Sequence, residues 1–337
     1  MTFNIYRRQS CMALAVTALL MVVMVCRAGA DSKLLQVLKN RLKNKAATSR
    51  LLFSSDRSGT RDIWTKATDG GTAERITSGP GEKTDPVLAP DGKQLAYVAL
   101  LNGVQELWII GVDKTGNRKL TTLNGFVRSP SFTADGSHIA FSFSNEEEPF
   151  YPNAIMSIDL ASGEVKTLLK SRKVDETGLT WFLNYPLLTT DSTWLFHTRA
   201  EISTPGFPKY TGVGIYKTNL ETGKTVHVIG GSFFYDEAGT LHGHWASTPS
   251  FFGPEPRLVF TSIVGYTEGA ICFSSPDGKE VRRVLRDEGV MYRNPTASPD
   301  GRYVYYERDI DEKSNIFRLD TVQGKSTRIT TKGDNRL

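Results

Sequence analysis

The 337-residue chain holds 41 lysines and arginines against 36 aspartates and glutamates, a formal net charge of +5, and has 3 cysteines. The basic excess lies at the front: Arg7, Arg8 and Arg27, then Lys33, Lys39, Arg41, Lys43, Lys45 and Arg50 against Asp31, leaving 32 basic and 35 acidic residues beyond. Phosphate recognition needs basic residues gathered on the folded surface, so the charge excludes any case for a nucleic-acid partner.

MTFNIYRR carries two positive charges, residues 11–25 are almost wholly apolar, and Ala28, Gly29 and Ala30 supply small residues for cleavage. These features predict a signal peptide over 1–30, a mature start near Asp31, and a periplasmic or secreted protein. The alternative, an uncleaved anchor, needs about 20 apolar residues, which the run does not reach. With Cys11 and Cys26 in the leader, Cys272 alone builds no disulfide framework. Residues 31–49 follow as a linker with helical character. Ser32 is the N-cap, Leu34, Leu35, Leu38 and Leu42 share one face, and basic residues occupy the other. A short basic amphipathic helix of this kind packs on its own domain, tethers peripherally to a membrane or remains a tail.

From Arg50 onward one pattern repeats. DIWTKATDGG returns as ELWIIGVDKTG, AIMSIDLASG, GIYKTNLETG, AICFSSPDG and NIFRLDTVQG, with glycines Gly70, Gly116, Gly163, Gly223, Gly278 and Gly324. RLLFSS recurs ahead of it as QLAYVA, HIAFSF, WLFHTR, RLVFTS and YVYYER, and AERIT behind it as RKLTT, VKTLL, TVHVI, VRRVL and STRIT. A further short strand beginning at proline precedes every copy but the first: PVLAPDG, PSFTADG, PLLTTDS, PSFFGPE and PTASPDG. Four short antiparallel strands per unit, repeated at a spacing of about 40–50 residues, predict an all-β, six-bladed β-propeller over 50–337. Ring closure is open at this stage, because either residues 45–49 or residues 332–337 can complete the first unit.

FSSDRSGTRDIWTKATDGGTAERIT, with APDGKQLAYVA and SPDGRYVYYE, resembles the WD40-like repeats of TolB-type propellers, and the likeness covers nearly all of 50–337. It is specific for fold and says little about function. TolB proper carries an α/β domain ahead of its propeller, where only about twenty residues stand here.

Long connections fall on one side of such a wheel: 144–153, 171–184, 200–212 and 230–248 all join second to third strands or one unit to the next. Loops on a rigid scaffold are where binding resides. Their aromatics, with the histidines of LHGHW, give the candidate ligand-binding set Trp181, Tyr185, Tyr210, Tyr235, His242, His244 and Trp245, as stacking platforms for sugars or anchors for protein. The competing reading is a local cluster in which loop aromatics bury one another. His242 and His244, two apart on an extended segment, point the same way and could share a divalent metal, although no third ligand is evident. The segment 233–262 is similar to propeller-type oligogalacturonate lyases, which hold a metal with histidines.

Two functions follow. The first is an exported, non-enzymatic, monomeric propeller that needs no cofactor and binds an envelope protein or a glycan through its elaborated face. The alternative is a metal-assisted polysaccharide lyase centred on His242 and His244, in which the metal holds the substrate acid and an unidentified base removes a proton.

Overall fold

The computed structural model describes residues 50–147, 151–171, 180–203, 209–231, 234–235, 241–242, 244–252, 257–264, 268–298 and 301–337. The signal peptide, the mature start and the amphipathic helix expected over 31–49 lie outside the described residues.

All regular structure among the described residues is β-strand. The first sheet contains β1 (Arg50–Ser55), β2 (Asp62–Ala67) and β3 (Glu74–Arg75). The second group is β4 (Glu82–Leu88), β5 (Gln94–Leu101), β6 (Val104–Gly111) and β7 (Arg118–Lys119). The third is β8 (Phe126–Phe132), β9 (His138–Ser144), β10 (Ala154–Asp159) and β11 (Val165–Lys170). A single parallel pair, Gln105 with Phe126, joins the second and third groups. The fourth is β12 (Thr180–Leu188), β13 (Trp194–Ser203), β14 (Lys209–Asn219) and β15 (Thr225–Gly231), followed by a separate hairpin of β16 (Phe234–Tyr235) and β17 (Leu241–His242). The fifth is β18 (Trp245–Phe252), β19 (Arg257–Val264), β20 (Glu268–Ser274) and β21 (Val281–Leu285). The sixth is β22 (Tyr292–Ala297), β23 (Tyr303–Ile310), β24 (Lys313–Asp320) and β25 (Lys325–Arg328). The last strand, β26 (Asn335–Arg336), returns to the first sheet and pairs with β1.

No group can bury its apolar face alone, so each packs on its neighbours. Ile63 and Ile76 meet Leu95 and Tyr97 between the first and second groups. Val98 and Leu107 meet Val127 and Phe141 between the second and third, and Ile155 meets Leu183 and Leu195 between the third and fourth. Phe196 and Ile215 meet Leu258 and Phe260, then Val259 and Ile271 meet Tyr292 and Tyr306. The sequence of contacts comes back to its start where Leu51 and Phe53 meet Tyr305 and Ile316.

Two local codes explain why the strands turn where they do. The six repeated glycines all have positive φ, from 65° at Gly116 to 143° at Gly70, a conformation that suits glycine in the turn after each third strand. The second code is polar. Ile63, Leu107 and Ile316 each donate a backbone N–H to a threonine hydroxyl, Thr77, Thr121 and Thr330, at 2.9 Å. Asp62 and Glu106, both buried, accept from Thr77 and Thr121 in turn. Glu106 also receives the amides of Leu123 at 2.7 Å and Asn124 at 3.1 Å. These side chains replace ladder bonds that the very short β3 and β7 do not provide.

Closure is settled in favour of the C-terminal segment. Arg336 pairs with Ser54 and Asn335 with Ser55. Arg57 donates to Asn335 Oδ1 at 2.6 Å, Arg61 to Asp334 Oδ2 at 2.6 Å, and the Asp334 amide to Asp56 Oδ1 at 2.7 Å. The expected long loops are also partly strand: β13 and β14 extend towards each other through much of 200–212, and the stretch 230–248 carries the β16–β17 hairpin.

Candidate binding cavity

The proline-led segments do not begin strands. Each inner strand starts three to six residues earlier and its pairing jumps across a bulge: between Thr84 and Val87, Arg128 and Ser131, Asn184 and Leu187, Ser247 and Ser250, Arg293 and Thr296. Every bulge consists of a left-handed residue followed by proline. The left-handed residues are Asp85 (φ 51°), Ser129 (49°), Tyr185 (53°), Thr248 (51°) and Asn294 (48°). Proline has no N–H to offer a neighbouring strand, so it sits where the inner strand has no second partner; β8, which meets β6, does so through Phe126, away from Pro130.

These five bulges converge on one cavity of about 490 Å³, lined by the five left-handed residues and by Pro86, Pro130, Pro186, Pro249 and Pro295, with Leu52 and Leu337 contributing from the first sheet and its closing segment. Leu337 follows the last β26 pair, Arg336 with Ser54, as Asp85 follows Thr84 paired with Val98. It therefore takes the place in the first sheet that a left-handed residue takes in the others.

Charge in the wall is largely matched. Asp85 Oδ2 accepts the Ser129 amide at 2.9 Å; burial pushes its carboxyl above the usual range, opposed by that amide and by the nearby Arg128. Burial lowers the Arg128 guanidinium, and Asp85 works against it. The Tyr185 phenol is pushed up to about 12, chiefly by burial and further by the negative charges of Asp85 and Glu307. It is a neutral hydroxyl at physiological pH. Behind the ring, Glu307 is fully buried and accepts Asn294 Nδ2 at 3.0 Å and the Leu337 amide at 2.7 Å. Burial raises its carboxyl above the ordinary range.

Of the seven residues anticipated for ligand binding, Tyr185 lines this cavity, as a strand residue and not a loop residue. Trp181, in the same strand as Tyr185, pairs with Glu201 of β13, Tyr210 pairs with Ile202, and Tyr235 pairs with Leu241 in the small hairpin. Their side chains, and that of His242, lie outside the described residues. His242 ends the hairpin and His244 stands just before β18, where Trp245 begins. Burial, aided by the positive charge of Arg283, lowers the pKa of His244. Among the described residues no cluster of three or more His, Cys, Asp or Glu could hold a metal. Tyr151 stacks on Phe182 with centroids 4.3 Å apart, so at least one pair of loop-region aromatics serves its neighbour. Asp85, Ser129, Thr248 and Asn294 escaped the sequence reading. Their signal is the recurrence of X-Pro at a fixed place in five repeats.

Residues 44–181 match the TolB beta propeller domain family, PD40. The chain carries a TolB-like β-propeller. The propeller is 25% identical over 160 residues to the Protein TolB homolog of Chlorobium luteolum, covering 35% of this chain and 36% of that protein. The chain therefore spans little more than a third of that relative's length. Among solved structures it is similar to TolB from Acinetobacter baumannii, with a TM-score of 0.64 and 16% identity over 86% of this chain and 65% of that one. It is also similar to an oligogalacturonate lyase solved in complex with manganese, with a TM-score of 0.54 and 16% identity over 84% of this chain and 74% of that one. At these identities the structural likeness speaks for the fold.

Proposed function

We propose that the protein is an exported binding scaffold: a six-bladed propeller that receives an envelope protein or a glycan at the cavity where its inner strands meet. The observation that carries this reading is the cavity itself, walled by the same bulge in five successive inner strands. Cavities of this size with a few convergent polar groups are the usual location of ligand sites. The six packing contacts that lead round to the first sheet support the blade count. The charged leader and its small-residue end support export, which N-terminal sequencing tests through a mature start near Asp31.

The binding test is a photo-cross-linking residue placed at Tyr185, and separately at Val322. Val322 is 79% exposed in the turn after a third strand, on the side of the tight turns. A partner or glycan joined at 185 and not at 322 is the expected result. Equal labelling at both places, or labelling at 322 alone, contradicts channel binding.

The lyase alternative finds support in the low pKa of His244, since a neutral imidazole is the ligating form. Arg283 counts against it, because a guanidinium beside the ring repels a divalent cation. Stoichiometric metal in the purified chain, lost in both His242→Ala and His244→Ala, is the result that would revive the enzyme.

A further inference from the structure

Backbone geometry accounts for only part of the ring around the cavity. A residue held near φ +50° is best served by Asn or Asp, whose short side chains tolerate the left-handed region, and Asn294 and Asp85 fit that rule. Ser129, Tyr185 and Thr248 do not. Thr248 is β-branched and Tyr185 bulky, the types for which a positive φ is most strained, and both stand immediately before a proline, where this region is further disfavoured. Strain of this kind clusters at ligand clamps, where side-chain identity answers to something other than folding.

The chemistry that the ring presents is specific in what it lacks. An extended peptide added at a sheet edge needs main-chain donors and acceptors, and each wall carries a proline with no N–H. Two further amides are already taken: Ser129 by Asp85 at 2.9 Å and Tyr185 by Asn184 Oδ1 at 3.1 Å. A free anion or cation finds little unmatched charge either, because Asp85 faces Arg128 and Glu307 is hydrogen-bonded behind the ring. What remains is a set of uncharged side-chain groups. Among the described residues neither the Ser129 nor the Tyr185 hydroxyl has a protein partner. Proline rings together with Leu52, Val87 and Leu187 supply apolar surface beside them.

Hydroxyl donors set against apolar walls match the edges and C–H faces of a sugar ring. We propose that Ser129, Tyr185 and Asn294 bind the neutral, hydroxyl-rich end of a glycan. This rests on reading the cavity as the binding site, and it narrows the ligand to an uncharged sugar in preference to a peptide strand or a uronic acid.

The test is calorimetric titration of the full chain with maltotriose, cellotriose and chitotriose, using trigalacturonate and an uncharged heptapeptide as comparators. Saturable binding of at least one neutral trisaccharide is expected. Tyr185→Phe, which keeps the ring and removes the hydroxyl, should weaken it about tenfold, as should Ser129→Ala. Thermal unfolding checks that both variants fold. Preference for trigalacturonate or the peptide overturns the proposal, as does neutral-sugar binding that neither variant changes. Failure of all three neutral sugars overturns the ligand class, and cross-linking at position 185 then decides separately whether the channel reading falls with it.

Discussion

His197 and Ser129 show how single residues set opposing demands. His197 is 1% exposed, bonded through Nε2 to the Thr218 hydroxyl at 3.1 Å, and its pKa is lowered to about 4, mainly by burial. The unfolded chain takes up this proton near 6.5, whereas the folded chain resists until about 4. Below 6.5 the unfolded state thus binds more protons, and stability falls as pH drops through that window, by up to about 3 kcal/mol. Urea unfolding from pH 7 to pH 4 should show a shallower decline for His197→Gln than for the parent; an identical slope would rule this residue out as the source. Ser129 makes a different trade. Replacing it with Asn, which accepts the left-handed backbone, should stabilise the fold by about 0.5–1 kcal/mol while weakening sugar binding. Gain in both properties would show that strain at this position has no link to function.

At the scale of the element, most of the strand plan was legible because each repeat restates it. The six turn glycines and the apolar runs of β5, β9 and β23 recur with enough regularity that chance is a poor explanation. Two features stayed hidden for physical reasons. In the sequence proline looks like a strand start, since it cannot donate within a ladder, yet it stands inside a bulge, where no donation is required. Closure was ambiguous because residues 45–49 and 332–337 are both short and polar. The deciding contacts lie some 280 residues apart in sequence, such as Arg57 with Asn335. Asn335 is fully buried and also donates to the Ser314, Lys332 and Gly333 carbonyls. Asn335→Ala should therefore cost about 2–3 kcal/mol, since it strands buried groups on both sides of the seam. Chemical denaturation measures it, and a loss below about 0.5 kcal/mol would mean that β26 contributes little to closure.

For the whole molecule, the candidate site was less visible than the fold. Composition points to loop aromatics, Tyr185 among them, whereas the structure places Tyr185 within β12, at the bulge, where it lines the cavity. Channel residues come from five places spread over more than 200 positions, so no local window contains the site. Only the alignment of repeats brings Asp85, Ser129, Tyr185, Thr248 and Asn294 into register. The radial plan then does what a rigid scaffold does in general, holding dissimilar side chains at equivalent positions around one space.

The most direct test of channel binding is the alkylation rate of a thiol placed at Ser129, in a chain whose Cys11 and Cys26 are replaced by serine and whose Cys272 is buried. Addition of saturating ligand should slow modification of Ser129→Cys at least about tenfold and leave Val322→Cys unchanged. An unaltered rate at 129, with binding demonstrated independently on the same sample, would place the ligand elsewhere on the propeller.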